Sequence, residues 1–303
     1  MTSEDRATAF RVGDARITRV EEHVLPVGLG LLTADRDLIA RSVTPLTEDF
    51  FVPDAFAFRF TNQSWVLAVD GLTMLIDPCT GNGRAGRGPA FDGLDTPYLD
   101  RLAAVGAAPD AVDVVFCTHL HHDHCGWNTQ ELDGRWVPTF PNATYLFVGD
   151  ELDRWDTNVT PDHPNAFNPN VFEECVRPVL AAGLGRRIEL PHRVNASVTI
   201  EPAPGHTVGH AMLRVESAGV RAYFTGDVFH HPVQLVRPEL HLPGCDDLAT
   251  AIATREALVA RVLAEDAFVF PAHLPAPHHG RLVDDGGRLT FALGGAEDGA
   301  ARD

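Results

Sequence analysis

Residues 117–127 read CTHLHHDHCGW and follow directly on AVDVVF, residues 111–116. Four histidines and an aspartate thus fall within six positions at the end of an apolar run that predicts a buried strand. Side chains two residues apart project to the same side of extended backbone, so His119 and His121 can hold one metal ion while the chain is still strand-like. His122 then points away. Asp123 and His124, just past the turn, are placed to reach a second ion, and Gly126 permits the sharp exit that such crowding needs.

One motif supplies only four ligands, and two ions need more. Three further apolar strands each end on a candidate: VTIEPAPGHT reaches His206, RAYFTGD reaches Asp227 and AFVFPAH reaches His273. If the ends of those strands lie at one edge of packed sheets, side chains from four loops converge there. The expected grouping is His119, His121 and His206 on one ion, Asp123, His124 and His273 on the other, with Asp227 bridging. Imidazole and carboxylate both suit zinc, and two ions roughly 3.5–4 Å apart can share a water and bring its pKa toward neutrality. Iron, manganese and cobalt accept the same donors. The plain alternative is an exposed, incidental histidine-rich loop. An ordered series of donors, each after its own apolar strand, argues against it.

The whole chain bounds what such a site could serve. Its 303 residues are 45% apolar, enough for a sizeable core. All 24 basic residues are arginine, which excludes Schiff-base lysine chemistry and a P-loop. With 42 acidic residues the formal charge is −18, so most of the surface repels phosphate and no nucleic-acid partner is expected. The opening MTSEDRATAF lacks a signal-like pattern, and no run is long enough to span a bilayer. A cytoplasmic protein without membrane contact is expected. Five scattered cysteines without a CxxC pair fit a reducing compartment. Only Cys125, inside the histidine cluster, invites another role than packing.

Strands are expected at ARITRVEEHVL, in a hairpin SWVLAVDGLTMLID turning at Asp70-Gly71, and at TYLFVG, ASVTIEPA, AMLRVES, RAYFTGD and AFVFPAH. Helices are expected around TPYLDRLAAVGA, at VFEECVRPVLAAG and at DDLATAIATREALVARVLAE. In the last of these, Leu248, Ile252, Val259 and Leu263 keep to one face and Asp246 or Asp247 caps the start. Residues 26–60 form an N-terminal hydrophobic arm in which Phe56, Phe58 and Phe60 share one side of an extended segment. Sheet packing is the plainer reading of that pattern; a cover over a pocket or a dimer contact is the other. Residues 1–10 and 294–303 are polar or small and expected to be frayed.

The run Thr118 to His124, read as THxHxDH, with the later PGHT, TGD and PAH, resembles the metallo-β-lactamase fold superfamily. The resemblance runs from about residue 65 to His273 and matches all seven ligand positions. It implies a single α/β domain over residues 1–303: an αβ/βα four-layer sandwich, two mixed β-sheets flanked by helices, with a dinuclear metal site at one sheet edge. Only 30 residues follow His273, too few for the added domains of several branches. TGDVFHHPVQ and PAHLPAP resemble the quorum-quenching lactonase and methyl parathion hydrolase branch, where some lactonases carry a tyrosine at the place His230 holds here.

The expected function is that of a dinuclear zinc hydrolase, a lactonase or esterase. A metal-bridging hydroxide would attack the carbonyl of a small, fairly apolar substrate. Asp123 and Asp227 would help move protons, and His230 would either polarise the substrate carbonyl or support a ligand. A phosphotriesterase is the near alternative, and a mono-iron persulfide dioxygenase-like oxidoreductase a further one. A metal-binding protein without catalysis would hold its ions with no open position. The arm and the branch resembled make a homodimer part of the expectation. His210 is expected to orient a ligand. Trp127, Trp155 and Phe229 are weaker candidates for pocket walls.

Overall fold

The computed structural model describes residues 7–33, 35, 37–38, 51–52, 56–158, 168–286 and 288–294. An eight-stranded mixed sheet uses β1 (Ala7–Val12), β2 (Ala15–Gly28), β3 (Phe51–Val52), β4 (Ala57–Val69), β5 (Leu72–Ile76) and β6 (Val114–Phe116). After a small hairpin of β7 (Thr129–Leu132) and β8 (Arg135–Pro138), β9 (Thr144–Val148) and β10 (Gly185–Ile188) complete it. Its order is β1-β2-β4-β5-β6-β9-β10, with β3 on β4, and β5, β6, β9 and β10 run parallel. The second sheet has seven strands in sequence order: β11 (His192–Arg193), β12 (Val198–Pro202), β13 (Ala211–Ser217), β14 (Val220–Gly226), β15 (Phe268–Pro271), β16 (Gly280–Asp285) and β17 (Arg288–Leu293). Only its β14–β15 pair is parallel.

The strands read as near-continuous apolar runs because both faces are covered. Met74 and Ile76, Val114 and Phe116, and Leu146 and Val148 turn to the layer between the sheets. There they meet Leu213, Val215, Phe224 and Phe270 of the second sheet. The alternate residues Leu75, Val115, Tyr145 and Phe147 face outward against Tyr98 and Leu102 of helix α1 (Tyr98–Ala104). On the other side Tyr223 and Val269 pack under Leu258 and Val262 of a long helix, Leu248–Glu265. The result is the helix–sheet–sheet–helix layering expected, with period-two side chains feeding two different cores.

Each predicted strand and helix is present. The hairpin turns at Asp70 and Gly71 with φ of 53° and 74°, the pair of left-handed residues that a two-residue turn needs. Asp247 caps the long helix by accepting from Thr250 N at 3.1 Å. Two expectations need correction. The buried stripe of that helix is Ala251, Arg255, Leu258 and Val262. Leu248, Ile252, Val259 and Leu263 lie beside it, half-buried, because the sequence face was drawn through aliphatic residues and stepped around an arginine. Residues 7–10 are not frayed but form most of β1, where Phe10 packs against both Trp65 and Phe270 at ring distances of 6.1 and 6.0 Å. Strands β16 and β17 carry the chain from Gly280 to Leu293, a hairpin whose mixed composition gave no sequence signal. The remaining parts of the ends, residues 1–6 and 295–303, lie outside the described residues.

Of the 26–60 arm, residues 34, 36, 39–50 and 53–55 lie outside the described residues. Phe58 and Phe60 are buried with Leu29, Leu32, Val233 and Leu240, which is the sheet-packing reading of that stretch.

Candidate metal centre

Strand β6 ends at Phe116, and the next turns carry Thr118, His119 and His121 to the sheet edge. A one-turn helix α2 (His122–Cys125) then raises Asp123 and His124 on the same side. From the second sheet, β12 leads to His206, β14 to Asp227 and β15 to His273. One group of donor atoms comprises His119, His121, His206 and Asp227, and another Asp123, His124 and His273. Within each group these atoms lie within 4.8 Å of one another. All seven candidates are brought together, with Asp227 in the first group.

Asp227 stands between them. Its Oδ2 lies 3.3 Å from His206 Nε2, 3.4 Å from His124 Nε2 and 3.7 Å from His119 Nε2, while Oδ1 lies 3.0 Å from His273 Nε2. One carboxylate therefore faces both groups.

The proton positions follow from the outer partners. Thr118 Oγ1 donates to Asp77 Oδ2 at 3.0 Å, so it can only accept from His119 Nδ1, at 3.1 Å. His119 Nε2 is left as a bare lone pair pointing inward. His273 Nδ1 donates to Thr61 O at 3.1 Å, and His124 Nδ1 sits 3.1 Å from Asp77 Oδ2. His273 Nε2 is then an acceptor, and it faces His124 Nε2 at 3.1 Å. Asp227 Oδ1, buried beside His273 Nε2, makes no hydrogen bond among the described residues. His121 Nδ1 lies 2.9 Å from His119 Nε2 and 3.0 Å from His206 Nε2. Ring nitrogens bound at about 2.0–2.1 Å to one tetrahedral ion sit roughly 3.3–3.4 Å apart. The inward acceptors of His119, His273 and Asp227, with the imidazoles of His121, His124 and His206 beside them, form a donor set that a divalent cation satisfies. The donor set fits such ions.

Electrostatics point the same way. Burial, and then the neighbouring His124, His121 and His206, hold the His119 imidazole well below its usual range, and burial with His206 does the same to His121. Both are neutral, the ligating form. Burial opposes charge on Asp227, but His124, His230 and His273 outweigh it and keep the carboxyl well below the carboxylate range. Asp123 is likewise lowered against burial, mainly by His124.

Behind the ligands stand groups that sequence reading assigned no role. Asp77, at the end of β5, accepts from Thr118 N at 2.7 Å as well as from the Thr118 hydroxyl. Glu151 accepts from Leu120 N at 2.9 Å, Gly209 N at 3.0 Å and Trp155 Nε1 at 2.8 Å, so one buried carboxylate ties the His119–His121 turn to the His206 loop. Glu22 accepts from Thr80 N, Gly81 N, Asn62 Nδ2 and Trp127 Nε1 and anchors the loop after Asp77. Asp77 could have been found, since it too is a polar residue ending an apolar strand.

His210 behaves as expected: Nδ1 donates to Ala203 O at 3.0 Å and Nε2 accepts from Asp227 N at 3.1 Å. His122 is half-buried with its ring against Phe91 and lines the cavity, and desolvation pushes its pKa down to about 4. Cys125 is buried and bonds His121 O at 3.2 Å. Gly126 is not there for the turn, since its φ is −60°. A Cβ on it would lie 1.7 Å from Thr80 O, so close approach of two loops is what requires glycine.

Over the cluster opens a cavity of about 460 Å³. His121, Asp123, His206, Asp227 and His230 form its floor, and Leu25, Val27, Phe60, Phe91 and Leu242 its apolar walls. Phe60 stacks on His273 at 3.8 Å, so the end of the arm is at once core and pocket wall. Trp127, Trp155 and Phe229 do not line this cavity. Trp127 stacks on Tyr98, Trp155 backs His121, and Phe229 lies in the core under the long helix.

Two cores around paired sheets, with an all-His/Asp donor set at their shared edge, define a metal-dependent hydrolase class. The chain belongs to the metallo-beta-lactamase superfamily, whose family model matches residues 58–273. The crystal structure of AbOPH, a hydrolase in the beta lactamase superfamily, superposes with a TM-score of 0.78 at 22% identity, covering 97% of this chain and 99% of that one. AidC, a dizinc quorum-quenching lactonase, superposes with a TM-score of 0.76 at 18% identity over 96% and 98% of the two chains. Among curated proteins, endoribonuclease ysh-1 of Neurospora crassa is 24% identical over 253 residues. That match covers 77% of this chain but only 26% of the relative's length. No described helix is long and apolar enough to cross a membrane.

Proposed function

We propose that the protein hydrolyses a lactone or ester of a small, fairly apolar acyl compound, using two zinc ions held by the seven residues. His119, His121 and His206 would hold one ion, Asp123, His124 and His273 the other, and Asp227 would bridge. Such ions, when bound, supply a hydroxide near neutral pH and stabilise charge on the substrate oxygen. The observation that carries the substrate reading is the cavity itself: Leu25, Val27, Phe60, Phe91 and Leu242 line it beside the His/Asp cluster, with Arg87 and His122 the other polar side chains. Asp123 and Asp227, kept ionised and open to that floor, are the groups placed to take and return a proton.

His230 serves Asp227 in this reading. Its Nε2 lies 3.0 Å from Asp227 Oδ2, and burial pushes its pKa down to about 4, so the single proton of the neutral ring goes to that carboxylate. Its Nδ1 has no hydrogen-bond partner among the described residues and is then an acceptor, unsuited to polarising a carbonyl. His230→Gln, which keeps an N–H donor, should retain activity within about tenfold. A loss of a thousandfold would put the ring on the substrate.

A phosphodiester substrate, as the curated relative's name suggests, finds less support. Arg87 is the one cation lining the cavity among the described residues, and Glu174 already holds it at 2.8 Å. A neutral phosphotriester would fit the same walls, and a one-iron persulfide dioxygenase would use part of the same donor set. A panel of lactones, aryl esters, aryl phosphotriesters and single-stranded RNA, with metal analysis and oxygen uptake, separates these. Turnover of RNA alone, or one iron per chain with oxygen uptake, would displace the ester reading.

A further inference from the structure

The loop after Asp227 carries His230 at one end and the cavity wall Leu242, Pro243 and Gly244 at the other. Two buried polar side chains hold those ends together. Gln234, fully buried, accepts through Oε1 from His230 N at 2.7 Å and His231 N at 3.0 Å, and donates from Nε2 to Leu240 O at 2.9 Å. Arg255, from the long helix Leu248–Glu265, donates from Nε to Val228 O at 2.8 Å and from Nη1 to Pro238 O and to Leu240 O, the latter at 3.1 Å. Val228 adjoins Asp227 in sequence, and Leu240 is two residues from Leu242.

A guanidinium this deeply buried normally seeks a carboxylate. Among the described residues no ion pair to Arg255 occurs, and three backbone carbonyls of one loop receive it instead. Leu240 O takes a donor from each side chain, so both converge on one carbonyl. Val233 and Leu240 below it pack with Phe58 and Phe60, which fixes the floor on which the wall rests.

We infer that Gln234 and Arg255 form a clasp that sets the distance between the Asp227 carboxylate and the Leu242–Gly244 wall, and so sets the size of apolar group the cavity admits. The inference rests on the ester reading for its substrate but on the loop alone for its mechanics. Neither residue touches the cavity, so both act as positioning residues for substrate size.

The test uses the metal-loaded full-length protein and p-nitrophenyl esters of increasing acyl length. Gln234→Met, similar in volume but without either hydrogen bond, should raise KM for the longest acyl chain at least tenfold. The shortest should change less than threefold, and kcat should shift by a common factor across the series. Leu242→Ala should change the same chain-length profile, and the double variant should add little beyond it, because both act on one wall. If Gln234→Met does not fold, Arg255→Lys, which keeps the charge and loses the fork, replaces it in the same cycle. A KM change independent of chain length, or full additivity with Leu242→Ala, overturns the clasp. If the wild-type protein cleaves no ester, the functional reading fails. The clasp is then judged by amide hydrogen exchange over residues 238–244: faster exchange in Gln234→Met supports it, and unchanged exchange overturns it.

Discussion

His124 and His273 turn their Nε2 atoms toward each other across 3.1 Å, and Asp227 Oδ1 lies 3.0 Å from the same His273 nitrogen. Nitrogens that close need a proton or a metal cation between them, and the seven-residue donor set around them suits the cation. Metal removal should therefore cost stability as well as activity, because ions that bind the folded chain add to its free energy of unfolding. Purified protein should carry about two divalent ions per chain. Dialysis against a chelator should abolish hydrolysis and lower the melting temperature by several degrees, and zinc should restore both. His273→Ala should lose about one ion per chain. An unaltered metal content in that variant would remove His273 from the site.

Asp77 controls the geometry from behind. It accepts from Thr118 N and Thr118 Oγ1 and faces His124 Nδ1 at 3.1 Å. In Asp77→Asn an amide NH₂ must replace one carboxylate oxygen: at Oδ1 it meets the Thr118 N–H, and at Oδ2 it removes the acceptor of the Thr118 hydroxyl. The expected outcome is a fall of about 10–100-fold in metal affinity, with a smaller loss in stability of about 1–3 kcal/mol. Competition with a metal-chelating dye measures the first and thermal melting the second. Full metal affinity in the variant would sink the argument.

The same residues show what a sequence can disclose. His206, Asp227 and His273 were legible because each follows an apolar strand. Asp77 follows one too, but as the tail of SWVLAVDGLTMLID it reads as part of a hairpin. Gln234 and Arg255 give no such sign: Arg255 bonds carbonyls 27, 17 and 15 residues away, partners that only the folded loop assembles. For the same reason the arginine hid in the buried stripe of its helix. The alternation of Met74, Leu75 and Ile76 was readable as strand, whereas the order in which β1 to β10 pair depends on long-range register that no local pattern encodes. The grouping of the seven donor residues was read from their spacing and from the strand ends, and their donor atoms lie in two clusters.

Two glycines separate close approach from turn geometry. Gly126→Ala would put a Cβ 1.7 Å from Thr80 O and 2.7 Å from Cys79 O, backbone atoms that cannot yield without moving the loop anchored by Glu22. Gly71→Ala meets nothing within 4 Å and suffers only its φ of 74°. The first should lose more than about 3 kcal/mol or fail to accumulate as folded protein, and the second about 1–2 kcal/mol. Denaturant titrations compare them. Similar midpoints for the two variants would show that the loops are not in contact at Gly126.

His278 offers a pH test away from the metal ligands. It is buried, its Nδ1 donates to Leu274 O at 2.8 Å, and burial, then the charge of Arg19, push its pKa down to about 3. An unfolded histidine titrates near 6.5. Between these values the unfolded chain binds the extra proton, so the contribution of His278 is complete above the unfolded pKa and is lost as pH falls toward the folded one. At pH 5 the loss amounts to about 2 kcal/mol. Asparagine tolerates the left-handed backbone, with φ of 72° at this position, and does not titrate. His278→Asn should therefore be less stable than the wild type at pH 7.5 but lose less on acidification, so that the two melting temperatures converge by several degrees at pH 5. Parallel melting curves across that range would mean that His278 accepts its proton in the folded state, and that the ring is not held neutral by its surroundings.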